Sequence, residues 1–377
     1  MTELDFHAIR ARCTRAFGND APADRRPAAR LAALAALTPP DVEQDVYGEG
    51  ALLHDVEREV AELLGKEAAV FMPSGTMAQQ IALRIWCDRR RLPVVAFHPR
   101  SHLEMHEERA YERLHHLSAI LVGGEHALLQ PADLARLREP IAALLLELPQ
   151  RELGGLLPPW EELLAIRAWA TAHGVTLHLD GARLWESAPF YGRPYAEIAG
   201  LFDSVYVSTY KGLGGISGCL LAGPEDFIAE SRVWQRRHGG NLFALYPYAL
   251  AARAGLAEHL PRMADYRDKA VAIAARLARI PGVEIVPDPP HTNMMHLALR
   301  APAERLERAA LEIADETKIW LFQRTMRTGV PSVQRVELSV GKAGLTLDTE
   351  EIGQIFESLM ASAAGAAASG SCHGLTL

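Results

Sequence analysis

Short apolar runs alternate with amphipathic stripes between residues 46 and 250. Leu53, Val56, Val60, Leu63 and Leu64 recur on one stripe, which predicts a helix over residues 52–64 closed by Gly65. Val70-Phe71-Met72 then predicts a short strand, and Ser74-Gly75-Thr76 opens a second helix running through Ile81, Leu83 and Ile85. Further strands are expected at residues 94–97, 118–122, 141–148, 176–179, 204–207 and 217–222, with a clear helix over 161–173. Strands that are apolar on both faces and separated by helices predict a mostly parallel sheet covered on both sides, an α/β architecture.

Beyond residue 250 the pattern turns helical and then alternates with strand-like pieces at 282–287, 294–299, 319–323 and 334–340, which predicts a smaller α+β domain. The expected organisation is an arm at 1–45, a large domain at 46–250, a small domain at 251–362 and a disordered tail at 363–377. The arm is rich in Ala, Arg and Pro, with one helix over 28–37 stopped by Pro39-Pro40. The tail is small and polar.

At 377 residues, 49% hydrophobic and 23% charged, the chain is a globular one with ample core. Its net charge of −8 argues against a nucleic-acid partner. Cys13, Cys87, Cys219 and Cys372 show no paired spacing, so a reducing compartment fits. No apolar run reaches the length of a membrane span, and the acidic N-terminus lacks the layout of a signal peptide. A cytoplasmic location without membrane attachment is the expectation. No G-x-G-x-x-G follows the early strands, which disfavours a nicotinamide oxidoreductase.

The candidate chemistry lies in two later runs. Leu177-His178-Leu179-Asp180-Gly181-Ala182-Arg183 delivers a carboxylate at a strand end. Thirty-one residues on, Tyr210-Lys211-Gly212-Leu213-Gly214 delivers a lysine into a glycine-rich turn. That pairing is what a pyridoxal 5′-phosphate (PLP) site needs. Lys211 would condense with the cofactor aldehyde, and Asp180 would keep the pyridine nitrogen protonated. Ser74, Gly75 and Thr76 at a strand-to-helix turn offer backbone N–H groups and hydroxyls to the phosphate, although Ser and Thr are also ordinary N-cap residues. Ser208 could reach the same phosphate or simply end its strand. His102, after the strand at 94–97, could stack on the ring and exchange protons with substrate. Arg183 could contact the phenolic oxygen or a substrate carboxylate, or pair on the surface with Glu186. Arg335 is a second carboxylate-clamp candidate, and Tyr47, on a glycine-flanked loop, could line or gate the pocket. No metal site is expected.

At these residues the chain resembles the threonine aldolase / β-eliminating lyase family of PLP fold-type I enzymes. The matching segments are Asp45-Val46-Tyr47-Gly48-Glu49, Phe71-Met72-Pro73-Ser74-Gly75-Thr76-Met77, Leu179-Asp180-Gly181-Ala182-Arg183-Leu184-Trp185 and Lys211-Gly212-Leu213-Gly214, within roughly residues 45–220. The resemblance implies the aspartate aminotransferase-like fold, Lys211 as the Schiff-base lysine, His102 stacked on the ring, Asp180 on the pyridine nitrogen and Gly75 with Thr76 on the phosphate. It places Arg183 and Arg335 near the substrate carboxylate. It also implies a homo-oligomer, dimer or tetramer, whose sites borrow residues from a neighbour.

Three segments depart from the family pattern, all on the substrate side. Cys13-Thr14-Arg15-Ala16-Phe17 stands where Ser-Asp-Asn is usual, Glu147-Leu148-Pro149-Gln150 where Glu-Asn-Thr-His is usual, and Val336-Glu337-Leu338-Ser339 where the segment usually ends in Thr-His. The leading expectation is Cα–Cβ cleavage of a β-hydroxy-α-amino acid to glycine and an aldehyde. β-Elimination and transamination are the alternatives within the same chemistry, and a non-catalytic PLP-fold protein is the alternative outside it.

Overall fold

The apolar runs form strands joined mostly by helices, as seen in a computed structural model that describes residues 5–365. In chain order the strands are β1 (Arg15–Ala16), β2 (Ala68–Met72), β3 (Val94–Phe97), β4 (Ser118–Leu121), β5 (Ala143–Glu147), β6 (Thr176–Gly181), β7 (Ser204–Ser208), β8 (Cys219–Gly223), β9 (Val283–Val286), β10 (Met294–Leu299), β11 (Ile319–Trp320), β12 (Met326–Arg327) and β13 (Gln334–Ser339). The described residues divide into two units, one spanning Leu31–Ala264, the other joining the chain up to Arg30 with the chain from Asp265 onward.

The first unit holds a seven-stranded sheet in the order β2-β8-β7-β6-β5-β3-β4. Strands β4, β3, β5, β6 and β7 run parallel, while β8 is antiparallel to both β7 and β2. The central strands are buried along their length apart from half-buried Thr176, which is why they read as largely apolar runs rather than alternating ones. Val70, Ile81, Phe97, Leu145, Leu221 and Phe227 belong to one core cluster against this sheet. The helix Ala51–Leu64 ends on Gly65 in the left-handed region (φ 60), whose N–H caps the Ala61 carbonyl. Because the parallel strands share one direction, β5, β6 and β7 bring their C-terminal residues to one edge of the sheet, the usual place for a ligand in an open α/β sheet.

The second unit carries an antiparallel four-stranded sheet, β12-β13-β10-β9, with Met294 opposite Ser339. The 319–323 run does not join that sheet. Its two strand residues, β11, pair in parallel with β1. Residues 5–30 therefore pack as part of the C-terminal unit rather than as a free arm. Arg15 donates to the Glu351 carboxylate through both terminal nitrogens, and Gly341 N–H donates to Phe17 O. The division falls at Asp265, not at 250, because the helix Tyr246–His259 packs against the helix Ala51–Leu64. The helix Thr349–Ala364 extends into the stretch expected to be a tail, and residues 366–377 lie outside the described residues. No described helix is long and apolar enough to cross a membrane.

Candidate active site

A cavity of about 280 Å³ opens in the first unit, lined by Pro73, Ser74, Gly75, Thr76, Gln79, His102, Glu107, Asp180, Tyr206, Tyr210, Lys211 and Ser217. Strand β6 supplies Asp180, and the turn after β7 supplies Lys211. The helix Gly75–Arg90 supplies the first wall, and the short helix His102–Met105 supplies the imidazole.

The helix Gly75–Arg90 starts without a side-chain cap from Ser74, although Ser74 O receives the Ala78 N–H. Its first turn therefore presents backbone donors and the positive end of the helix dipole to the cavity. Gly75 is required there, because a Cβ would lie 2.1 Å from the Tyr206 hydroxyl. The free backbone N–H groups at this helix start, not the space beside Gly75, suit an anionic group.

Asp180 is 2% exposed and sits opposite Glu147 on one side and Tyr206 on the other. Its Oδ1 accepts the Ala182 N–H at 3.1 Å. Glu147 is tied to three donors: the N–H of His102 (3.3 Å), the side-chain amide of Gln150 (3.1 Å) and the N–H of Arg151 (3.1 Å). Burial and the neighbouring Asp180 push the Glu147 carboxyl up to about 7, against the pull of the Arg151 N–H. Glu147, buried beside Asp180, thus keeps its proton more readily than a solvated carboxyl.

Lys211 projects its amine 5.9 Å from the Tyr210 ring centre. Burial, with the Arg183 cation next, holds its ammonium below the usual lysine range, while Asp180 and Glu147 oppose the shift. A lysine so placed offers a neutral, nucleophilic amine more readily than a solvated one.

His102 points Nδ1 at Glu107 Oε1, 3.0 Å away, and the other Glu107 oxygen accepts from Gln80 Nε2 at 2.7 Å. The buried carboxylate thereby fixes the imidazole with Nδ1 as donor and Nε2 as the remaining ring nitrogen. The ring of His106 lies 5.1 Å from that of His102 and is held by Glu152.

Lys211, Asp180, His102, Ser74, Gly75 and Thr76 thus meet in one cavity. Arg183 is not among its lining residues; its charge acts on both Lys211 and Glu186, and Glu186 is buried rather than at the surface. Ser208 does not line the cavity. It is fully buried and its Oγ accepts the Tyr210 N–H, as a strand-end serine does, while Ser217 faces the cavity together with Ser74. Tyr47 is 54% exposed, stacks edge-on against Phe243 and is not among the lining residues either. Arg335 belongs to the second unit, on β13 opposite Ala298 and Met326. Gln79, Glu107, Glu147, Tyr206 and Ser217 were not singled out from sequence. A carboxylate inside the apolar run 141–148 and another five residues after His102 were the available signals.

The profile of the family described as Beta-eliminating lyase matches residues 26–301. A solved structure of a candidate L-allo-threonine aldolase from Listeria monocytogenes EGD-E is 41% identical, with a TM-score of 0.88 over 94% of this chain and 98% of that one. A candidate aromatic amino acid beta-eliminating lyase/threonine aldolase from Exiguobacterium sp. 255-15 is 39% identical, again at 0.88, over 94% and 99%. Low-specificity L-threonine aldolase 1 of Arabidopsis thaliana is 29% identical over 71% of this chain and 78% of its own length. With its seven-stranded sheet, the fold is that of the PLP fold-type I enzymes, and the chain belongs to the β-eliminating lyase family.

Proposed function

We infer that this protein is a PLP-dependent lyase that cleaves the Cα–Cβ bond of a β-hydroxy-α-amino acid, releasing glycine and an aldehyde. The observation that carries the reading is the meeting of Lys211, Asp180, His102 and the uncapped Ser74-Gly75-Thr76 turn in one cavity, in a chain of this family. The residues fit the cofactor, because the uncapped start of the helix Gly75–Arg90 offers backbone N–H donors to an anion in the cavity that also holds Lys211 and Asp180. When bound, the cofactor supplies an electron sink for the pair left on Cα.

The chain's own residues do the rest. Lys211 would provide the amine that holds the cofactor's aldehyde carbon. Asp180 would accept a hydrogen bond from the pyridine nitrogen and favour its protonated form. His102, oriented by Glu107, presents Nε2 as the base for the β-hydroxyl proton, or passes it through water. Arg183, whose charge acts on Lys211, is a carboxylate clamp in this reading. Arg335 and Tyr47 enter the proposal on the family resemblance alone, and Ser208 acts by shaping the turn that carries Lys211. A homo-oligomer, dimer or tetramer, and a cytoplasmic setting belong to the same proposal; Cys13, Cys87 and Cys219 are buried free thiols, as a reducing compartment allows.

The test is to incubate the purified, PLP-loaded protein with threonine, allo-threonine, phenylserine and serine and to identify products. Glycine and the matching aldehyde are expected. Ammonia and a keto acid without aldehyde would replace this reading with β-elimination. Borohydride trapping followed by mass mapping should place the cofactor on Lys211.

A further inference from the structure

Gln79 lies on the helix Gly75–Arg90, one turn after Gly75, and lines the same cavity as Ser74, Thr76 and Asp180. It is 1% exposed, and its side-chain Nε2 has no hydrogen-bond partner among the described residues. An amide donor buried without a partner is costly and calls for an explanation.

A fully buried chain of polar groups determines which way this amide faces. Trp86 Nε1 donates to Ser204 Oγ at 2.8 Å, and an indole N–H can only donate. Ser204 Oγ also lies 2.7 Å from His178 Nδ1, so the serine's own hydrogen goes to that nitrogen. With Nδ1 accepting, neutral His178 carries its hydrogen on Nε2 and donates to Gln79 Oε1 at 2.7 Å. The reverse order would leave the Ser204 hydroxyl hydrogen without an acceptor. Burial keeps His178 neutral by pushing it down to about 3, so the order persists across the physiological range. Once Oε1 is committed to His178, Nε2 is the atom left to face the cavity.

We propose that Gln79 is a cofactor-binding donor, its amide N–H held toward bound PLP by positioning residues His178, Ser204 and Trp86. The inference rests on the PLP reading above and adds a contact that the Asp180–Lys211 pair does not need. Helical side chains lean toward the helix N-terminus, so Gln79 extends along the same face as Thr76, three residues earlier.

The test measures the PLP dissociation constant by equilibrium dialysis, the visible absorbance of the lysine-bound cofactor, and the melting temperature of the cofactor-free protein. Gln79→Leu should raise the dissociation constant about tenfold, the loss of one hydrogen bond to a polar ligand, and also lower apoprotein melting, because the buried His178 N–H loses its acceptor. Gln79→Glu keeps the shape without the N–H and should weaken binding at least as much; it decides the matter if Gln79→Leu fails to fold. Ser204→Ala releases the tautomer of His178 and should weaken PLP about threefold. Wild-type affinity in both Gln79 variants overturns the proposal, and unchanged affinity in Ser204→Ala overturns the relay. If the wild-type protein itself shows no trapped cofactor on Lys211, the underlying PLP reading fails instead, so the two failures are distinguishable.

Discussion

Glu147 and Asp180 stand opposite one another in parallel register at the C-terminal ends of β5 and β6. The same Glu147 accepts the backbone N–H of His102. One carboxylate therefore links the strand that presents Asp180 to the turn that presents the imidazole. Its proton affinity reports on Asp180, because the charge of that neighbour is part of what raises it.

This gives a signed pH dependence. The carboxyl of Glu147 is ordinary in the unfolded chain, at 4.5, and is pushed up to about 7 in the folded one. Between those values the folded chain holds a proton that the unfolded chain has released. The contribution to stability is fully present below the lower value and is lost as pH rises through the upper one. Glu147→Gln, which cannot ionise, should match the wild-type apoprotein at about pH 4 and exceed it by about 1–3 kcal/mol at about pH 8. Urea unfolding of both proteins at the two pH values checks this; parallel pH profiles would rule it out.

The proposed role of Asp180 predicts a different outcome. Asp180→Asn keeps the volume and removes the charge, so the site should still capture PLP through Lys211 while kcat falls by about a hundredfold or more, an electrostatic loss in a buried site. The measurement is kcat with saturating threonine beside the visible absorbance of the bound cofactor. A variant that retains near-wild-type turnover would remove Asp180 from the mechanism.

Glu107 is expected to act through His102. Glu107→Gln keeps an acceptor for Nδ1 but withdraws the negative charge, and should lower kcat about ten- to a hundredfold, the usual cost of losing an orienting partner. Because the role is positional, the pH profile of kcat should shift along with its height, while circular dichroism stays that of the parent. A drop in kcat with an unmoved profile would mean that Glu107 only supports the fold.

Much of this was legible in the chain, for identifiable reasons. The central strands are buried on both faces, so the runs ending at Asp180 and before Lys211 stand out as largely apolar blocks despite His178 and Ser204 within them, and their positions agree with β6 and β7 to within two residues. The run at 319–323 misled because apolarity does not name a partner. Ile319 and Trp320 pair with Arg15 and Ala16, some three hundred residues away, and no local pattern encodes that register. Ser208 was drawn toward the phosphate by its spacing from Lys211, whereas the tight turn directs its hydroxyl at the Tyr210 N–H. Gln79 and His178 escaped notice because each looks like an ordinary polar residue within an element; only the folded contact between helix and sheet makes them a pair.

The last prediction concerns the phosphate cradle. A Cβ at position 75 would sit 2.1 Å from the Tyr206 hydroxyl oxygen and 2.6 Å from its ring carbon Cζ, and Tyr206 is held in the middle of the sheet opposite Asp180. Neither group can yield cheaply, so Gly75→Ala should cost about 1–3 kcal/mol of stability by overpacking and weaken PLP as the helix terminus shifts. Tyr206→Phe removes the closer atom and leaves the ring. The double variant Gly75→Ala/Tyr206→Phe should therefore recover part, not all, of both losses, a coupling of about 0.5 kcal/mol or more in a double-mutant cycle. Additive effects in that cycle, read by urea melts and PLP titration on all four proteins, would show that the glycine is kept for some reason other than the tyrosine behind it.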